Sequence, residues 1–400
     1  FSLFFPEKRE FFLENAEIFE FGNTGFRSST RRRIGLSRPG NDLIPFFSRR
    51  IGIDDDRVIP ILLGGRVTGR EGKYRLGVIS MQTAEFEEVP STNFTVARVR
   101  RDVFRSSDIG AIFVNKREVD GYYNRTYGVD GNFTFFRYLE LSSYLLGSDT
   151  PGSEGNDSAG FGRVAWRDRL FNVGASYISI QDNYNAEVGF APRVGIKKTR
   201  GTFGLTPRPE GRIPWVREFN PSVDINYVTN QEGVLDTRQT TGRFTVEFND
   251  SSRFTVGGRS TFERLFEDDE ILDRPLPAGD YNFSEVSVSY SSDRSRIISG
   301  SAVWRDGSYY DGERRGYGLG LGLFLSSQFG IDLFWDHADI QFPDSDLDTD
   351  LVSTRIDYSF STRMFLSGLI QYSSQDGFIA SNIRFRWIHN PLSDLYVVYN

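Results

Sequence analysis

Residues Asp350 to Met364, DLVSTRIDYSFSTRM, divide by parity. Val352, Thr354, Ile356, Tyr358 and Phe360 fall on one side, and Ser353, Arg355, Asp357, Ser359 and Ser361 on the other. Side chains alternate across a strand, so the stretch reads as a β-strand with one apolar and one polar face. The same period recurs from about Val58 onward. Tyr74, Leu76 and Val78 oppose Arg75 and Gly77, and Phe244, Val246 and Phe248 oppose Thr245 and Glu247. Phe329, Ile331, Leu333 and Trp335 oppose Gly330, Asp332 and Asp336, while Ile383, Phe385 and Trp387 oppose Asn382, Arg384 and Arg386. No stretch after residue 58 keeps a helical period for more than about two turns.

A soluble sandwich and a membrane barrel both alternate in this way; the connections separate them. Short turns near 71–73, 105–108, 136–138, 168–170, 249–252, 293–295, 326–328, 361–363 and 390–394 interleave with longer stretches. The longer ones include GSDTPGSEGNDS (147–158), EDDEILDRPLPAGD (267–280), SYYDGERRG (308–316) and PDSDLDTD (343–350). Outer-membrane barrels have short periplasmic turns and longer outside loops. Strands of roughly 10 to 14 residues suffice to cross the hydrocarbon at a tilt. The expected fold is therefore all-β: a large antiparallel up-and-down transmembrane β-barrel of about 20 to 22 strands in a Gram-negative outer membrane. Parity then assigns Arg66, Arg75, Asp130, Glu247, Arg259, Asp332, Arg355, Asp357, Arg384 and Arg386 to a polar lumen. Leu319, Leu321, Leu323, Ile356, Tyr358, Phe385 and Trp387 are assigned to lipid. The mixed signs of the first set suggest a cross-strand ladder rather than selectivity for one ion sign. In GYGLGLGLFL (316–325) the bare positions imply strand curvature or room for a neighbouring segment; a dinucleotide fingerprint would need a following helix.

Composition narrows the chemistry. The 400 residues carry a net charge of -7, 36 Phe, 18 Tyr, two His and no Cys. Lack of cysteine removes disulfides, thiolate zinc sites and cysteine nucleophiles together. No apolar run approaches the ~18 residues of a membrane helix. The chain opens FSLFFPEKRE without the layout of a signal peptide and stops at DLYVVYN within a strand-like stretch, so a fragment cut at both ends is expected. Residues 1–44 lack a period of two and are expected to form a periplasmic lead-in or a lumen plug, with the barrel over 45–400. Within that span, PFFSRRIGI (45–53) is the expected first strand and DDDR (54–57) its outer turn.

Few residues suggest a reactive centre. His337 in FWDHADIQF and His389 in RWIHNPLSD fall near opposite strand ends, and neither has a nucleophile singled out beside it. No catalytic residue and no cofactor is assigned. Asp344, Asp346, Asp348 and Asp350 alternate in an acidic stretch that could hold calcium, although their spacing is not that of an EF-hand. Arg31, Arg32 and Arg33 form a basic triplet, but the acidic chain lacks the basic, aromatic-interleaved face of a nucleic-acid binder.

Several stretches carry a family resemblance: FFPEKREFFLENAEIFEFG (4–22), FFSRRIG (46–52), GGRVTGREGKYRLGV (64–78), NFTVARVRRDVF (93–104), NRTYGVDGNF (124–133) and IRFRWIHNPLSDLYVVYN (383–400). Together they resemble the DUF5916-type outer-membrane barrels, a family of unknown function in which the barrel usually follows a module similar to family-9 carbohydrate-binding domains. The resemblance is densest at residues 1–135 and 380–400. It implies the same location and architecture, a missing amino-terminal sugar-binding-like module, and a final strand or two beyond Asn400. Passage, capture or uptake of a solute is the expected role, with a glycan implied only by that family's domain arrangement. The alternatives are a barrel anchoring other envelope proteins and, third, a barrel hydrolase. The expected partners are outer-membrane lipid and other envelope proteins, not nucleic acid.

Overall fold

The computed structural model describes residues 7, 9–22, 42–54, 57–153, 155–209, 211–272, 274–375, 377–390 and 393–399. Among them, twenty long strands run from Ile61–Glu71 to Ser393–Tyr399. Each is hydrogen-bonded to its sequence neighbours, and the order closes into a barrel. Pairing is antiparallel throughout the registers that follow. Most strands hold 10 to 16 residues, as in Tyr74–Thr83 and Asp346–Ser361. The all-β, up-and-down architecture expected from the alternation is the one observed.

Two expectations about connections need correction. PFFSRRIGI is not a barrel strand: Ser48–Arg50 form a turn of 3-10 helix, and the first long strand begins at Ile61. Its paired phenylalanines and paired arginines cannot alternate across a sheet. Nor are SYYDGERRG and PDSDLDTD long loops. Tyr309 pairs with Gly312 around a two-residue turn, and Asp346 already pairs with Gln341 inside a strand. Around 312–315 both faces are polar, and at 346–350 the aspartates take the face that is apolar further along while Leu347 takes the other, so the hydropathy period breaks while backbone pairing continues.

The chain divides into two compact units, residues 1–202 with 226–235 and residues 203–225 with 236–400. In the first unit both faces of several strands are apolar. Leu76, Val78, Val129, Leu145 and Val164 remain exposed on one face. On the other, Ile79, Phe94, Val96, Val114, Leu146 and Ile180 are buried beneath Phe12, Phe19, Leu43, Ile51, Tyr184 and Val188. This second face is not simply polar, as parity had suggested, but carries a covered core.

In the second unit the register joins Leu323 to Ile331 and Ile331 to Ile356 on one face, with Gly322, Asp332 and Arg355 aligned on the other. The glycines of the 316–325 stretch lie under neighbouring side chains. A Cβ on Gly320 or Gly322 would stand 2.5 Å from Ser301 Oγ or Ser299 Oγ, and one on Gly318 2.7 Å from Val303.

Residues 44–47 are joined to 188–190 by backbone hydrogen bonds, two between Ile44 and Phe190 and one from Phe47 N to Val188 O. A Cβ on Gly189 would lie 2.3 Å from the Ile44 carbonyl oxygen. Gly189→Ala is therefore expected to destabilise the protein by about 1–3 kcal/mol through overpacking. The loss should appear in denaturant unfolding, with faster amide exchange at Ile44 and Phe190; unchanged exchange would refute this account.

Candidate functional site

The strand Thr92–Val103 places Phe94, Val96, Arg98 and Arg100 on one face. Arg98 continues an apolar row, so it needs a partner in the same dry environment. Asp130 supplies it from the strand Tyr123–Phe135, one strand beyond the intervening Ser107–Glu118. The two can meet because Gly110 lies between them. A Cβ there would stand 2.6 Å from Arg98 Nη1 and 2.9 Å from Asp130 Oδ1. The ion pair is bidentate, at 2.7 and 2.9 Å, with side-chain exposures of 0% and 1%.

Residues 9–22 are docked over this pair. Arg98 donates to the Glu20 carbonyl at 3.1 Å, and the Gly22 N–H donates to Asp130 Oδ2 at 3.0 Å. Phe19 stacks over bare backbone, since a Cβ on Gly77 would lie 2.7 Å from its ring. Arg66 donates to the Phe11 and Glu14 carbonyls and forms an ion pair with Glu14. Nearby, Arg75 is bound to Asp102, and Arg100 pairs with Asp108 at 2.7 Å.

The segment is also tied at its start. Glu7 accepts from the Arg9 side chain and amide and from Ser48 Oγ, while Arg9 donates to the Ser48 and Ile51 carbonyls. Burial works to raise the Glu7 carboxyl, but these hydrogen bonds outweigh it and hold the group at about 2.

A cavity of about 420 Å³ opens beside the covered core of this unit, lined by Thr83, Phe94, Lys116, Glu118, Tyr184 and Glu187 among others. Lys116 bridges Glu118 and Glu187, each at 2.9 Å. Tyr122 donates to Glu187 at 2.5 Å. Burial works to raise the Glu187 carboxyl, yet the hydrogen bonds from Lys116 and Tyr122 hold it below its ordinary value. Burial and the Glu187 charge push the Tyr122 phenol up to about 12.

The register places the parity sets as follows. In the first unit Arg75, Arg100, Gly110 and Asp130 stand in one row. Arg66 lies on the same face, in the row of Ile79 and Val96. In the second unit Glu247, Arg259, Asp332, Arg355, Asp357, Arg384 and Arg386 share one face. Leu319, Leu321, Leu323, Ile356, Tyr358, Phe385 and Trp387 share the other. Glu247 takes Arg217 and Arg253, Asp332 takes Arg294, Asp357 accepts from Ser367, and Arg386 holds Asp394. Arg355 stands opposite Asp332 without bonding it. Among the described residues, Arg259, Arg355 and Arg384 form no ion pair.

The four aspartates of the calcium reading do not converge. Asp344 pairs with Arg274, whereas Asp348 and Asp350 meet His337 Nδ1 at 3.3 and 3.1 Å. That His–Asp–Asp grouping depends on the register of His337 with Asp350, which the sequence does not display. His389 lies elsewhere, its ring 5.4 Å from that of Trp387. The Arg31–Arg33 triplet falls outside the described residues. Sequence reading missed Arg98, although an arginine in line with Phe94 and Val96 was a visible anomaly. It also missed Gly110 and Glu187, which have no local signal.

No family model and no curated protein matches the chain. Among solved structures, it is similar to the siderophore receptor PiuA from Acinetobacter baumannii, with TM-score 0.48 and 8% identity over 84% of this chain and 74% of that one. It is also similar to OccK3 (OpdO) of Pseudomonas aeruginosa, with TM-score 0.39 and 12% identity over 78% of this chain and 92% of that one. Likenesses this distant do not bear on the choice of solute.

Replacing Asp130 with Asn leaves the Arg98 charge buried without its counterion, and a loss of about 3–5 kcal/mol is expected. The double variant Arg98→Met with Asp130→Leu should recover much of it. Urea unfolding of the three proteins checks this, and an Asp130→Asn variant as stable as the parent would contradict it.

Acid should loosen the amino-terminal tie. Glu7 is depressed in the folded protein, so its contribution is present above its ordinary value of 4.5 and lost as pH falls toward about 2. Amide protection at Phe12 and Phe19 should fall across that window, and Glu7→Gln should abolish the pH dependence while weakening protection throughout.

Proposed function

We propose that this chain is an outer-membrane barrel for passage or uptake of a solute, with residues 9–22 docked inside it as a plug. On the proposed lipid face, Phe329 to His337 covers eight residue steps of the strand Phe329–Gln341. That is roughly 27 Å along the strand at ~3.4 Å per residue, or roughly 21 Å across a bilayer at a ~40° tilt. Leu321, Leu333 and Ile356 are 36–40% exposed within this band. The length and exposure fit the ~25 Å apolar belt of a membrane barrel. The strand ends beyond it turn charged on the same face, at Asp339, Asp348 and Arg315.

The observation that carries the plug is the sealed Arg98–Asp130 pair, closed by the Glu20 carbonyl and the Gly22 amide. A segment merely trailing from the barrel would not complete a fully desolvated ion pair. Arg259, Arg355 and Arg384, which have no carboxylate partner among the described residues, offer hydrogen-bond donors to a polar solute. A glycan is the class implied by the family resemblance.

Single-channel conductance in a planar bilayer tests this reading. The full chain should conduct little, and deletion of residues 9–22 should open steady conductance that added oligosaccharides reduce. Silence of both proteins, with insertion verified, would overturn passage and favour an anchoring barrel.

A further inference from the structure

The first unit carries a repeated arrangement at one end of its strands. Its four short turns each expose one cation: Lys73, Arg105, Arg137 and Arg169. Each cation adjoins large apolar side chains that are also exposed. Phe104 and Phe136 are 81% and 79% open, and Tyr74, Tyr138, Trp166 and Phe171 stand beside the others at 40–45%. Phe104 and Phe136 are held at φ of 55° and 52°, in the left-handed region that bulky residues rarely adopt. Asp168 is folded back onto the Leu170 and Phe171 amides and the Trp166 indole, which leaves Glu71 as the exposed acid of these turns. Connections at the other end of the same strands expose Glu85, Glu88, Asp120 and Asp182 beside the cations Arg117 and Arg193.

We infer that this rim of short turns is a docking surface for the phosphate headgroups of anionic phospholipid. The reading rests on the exposed apolar face being the lipid face, with which the rim is continuous. Aromatic girdles flank the apolar band of a membrane barrel, where cations beside them meet phosphate oxygens. Charge complementarity selects the occupant, because at the opposite end the exposed acids outnumber the cations. Each cation near an anionic surface shifts partition by roughly five-fold at low salt, and less once screened.

The test is insertion of the full chain from urea into vesicles of phosphatidylcholine, with and without phosphatidylglycerol. Phosphatidylglycerol should raise the rate of insertion, and added salt should remove the gain. The variant with Lys73→Gln, Arg105→Gln, Arg137→Gln and Arg169→Gln should lose roughly ten-fold or more of that gain. It should still insert into phosphatidylcholine alone, as should Glu85→Gln with Glu88→Gln, which should keep the full gain. Equal insertion of the parent chain into both vesicles overturns the rim while leaving the membrane reading intact. A salt-insensitive gain overturns it as well, whether or not the quadruple variant folds. Failure of the parent chain to insert anywhere overturns both readings.

Discussion

The backbone of a strand sends successive side chains to opposite sides, and nearly everything in this protein follows from that constraint. A chain whose outer positions are Leu, Val, Ile and aromatic cannot leave its amide and carbonyl groups unpaired beside them, because no water is there to satisfy them. Closure of the sheet removes the two edges at which such groups would otherwise stand. Pairing between sequence neighbours achieves this with short connections at one end and no crossover.

The first unit adds a second demand. Its covered face has to be apolar enough to pack against residues 42–51 and 184–191, yet it carries Arg98 and Asp130. Glycine reconciles the two at defined points. Gly110 lets the ion pair form across an intervening strand, and Gly77 admits the Phe19 ring to the sheet surface. In the second unit the corresponding face is lined by Ser299, Ser301 and the glycines between them, with charged pairs such as Arg305–Asp336. One barrel thus supports two different linings, because the outward parity alone is enough to keep the strands in register.

Legibility in the sequence divides along the same line. Strands such as Tyr74–Thr83 and Phe329–Gln341 were readable because one face carries an unbroken apolar row, Tyr74 to Val78 in the first and Phe329 to Trp335 in the second, and the turn near Gly72 because short punctuation lies beside it. The outer ends of Gly312–Phe324 and Asp346–Ser361 were mistaken for loops, since Arg314 and Arg315 make both faces of the first polar and Asp346 and Asp348 occupy the otherwise apolar face of the second. Residues 44–47 and 184–190 were unreadable for another reason. Their order comes from contacts with each other and with a distant core, which leave no period in the local sequence. Arg98 lies between these cases: its misfit in an apolar row was legible, but its partner was set by a register two strands wide.

The docked segment adds to an ion pair that is complete without it. Arg98 and Asp130 make their bidentate contact with each other, and the segment contributes only a carbonyl and an amide to it. Its departure would therefore leave the pair intact and hydrated rather than strand a buried charge, which is the costly outcome. What undocking loses is the burial of Phe12 and Phe19, about 1.5–3 kcal/mol for each side chain, together with the hydrogen bonds of Arg66 and the Glu7–Arg9–Ser48 knot. Those contributions are separate and modest. The segment is thus tied by several small contacts, while the charge of Arg98 is met by the barrel's own Asp130.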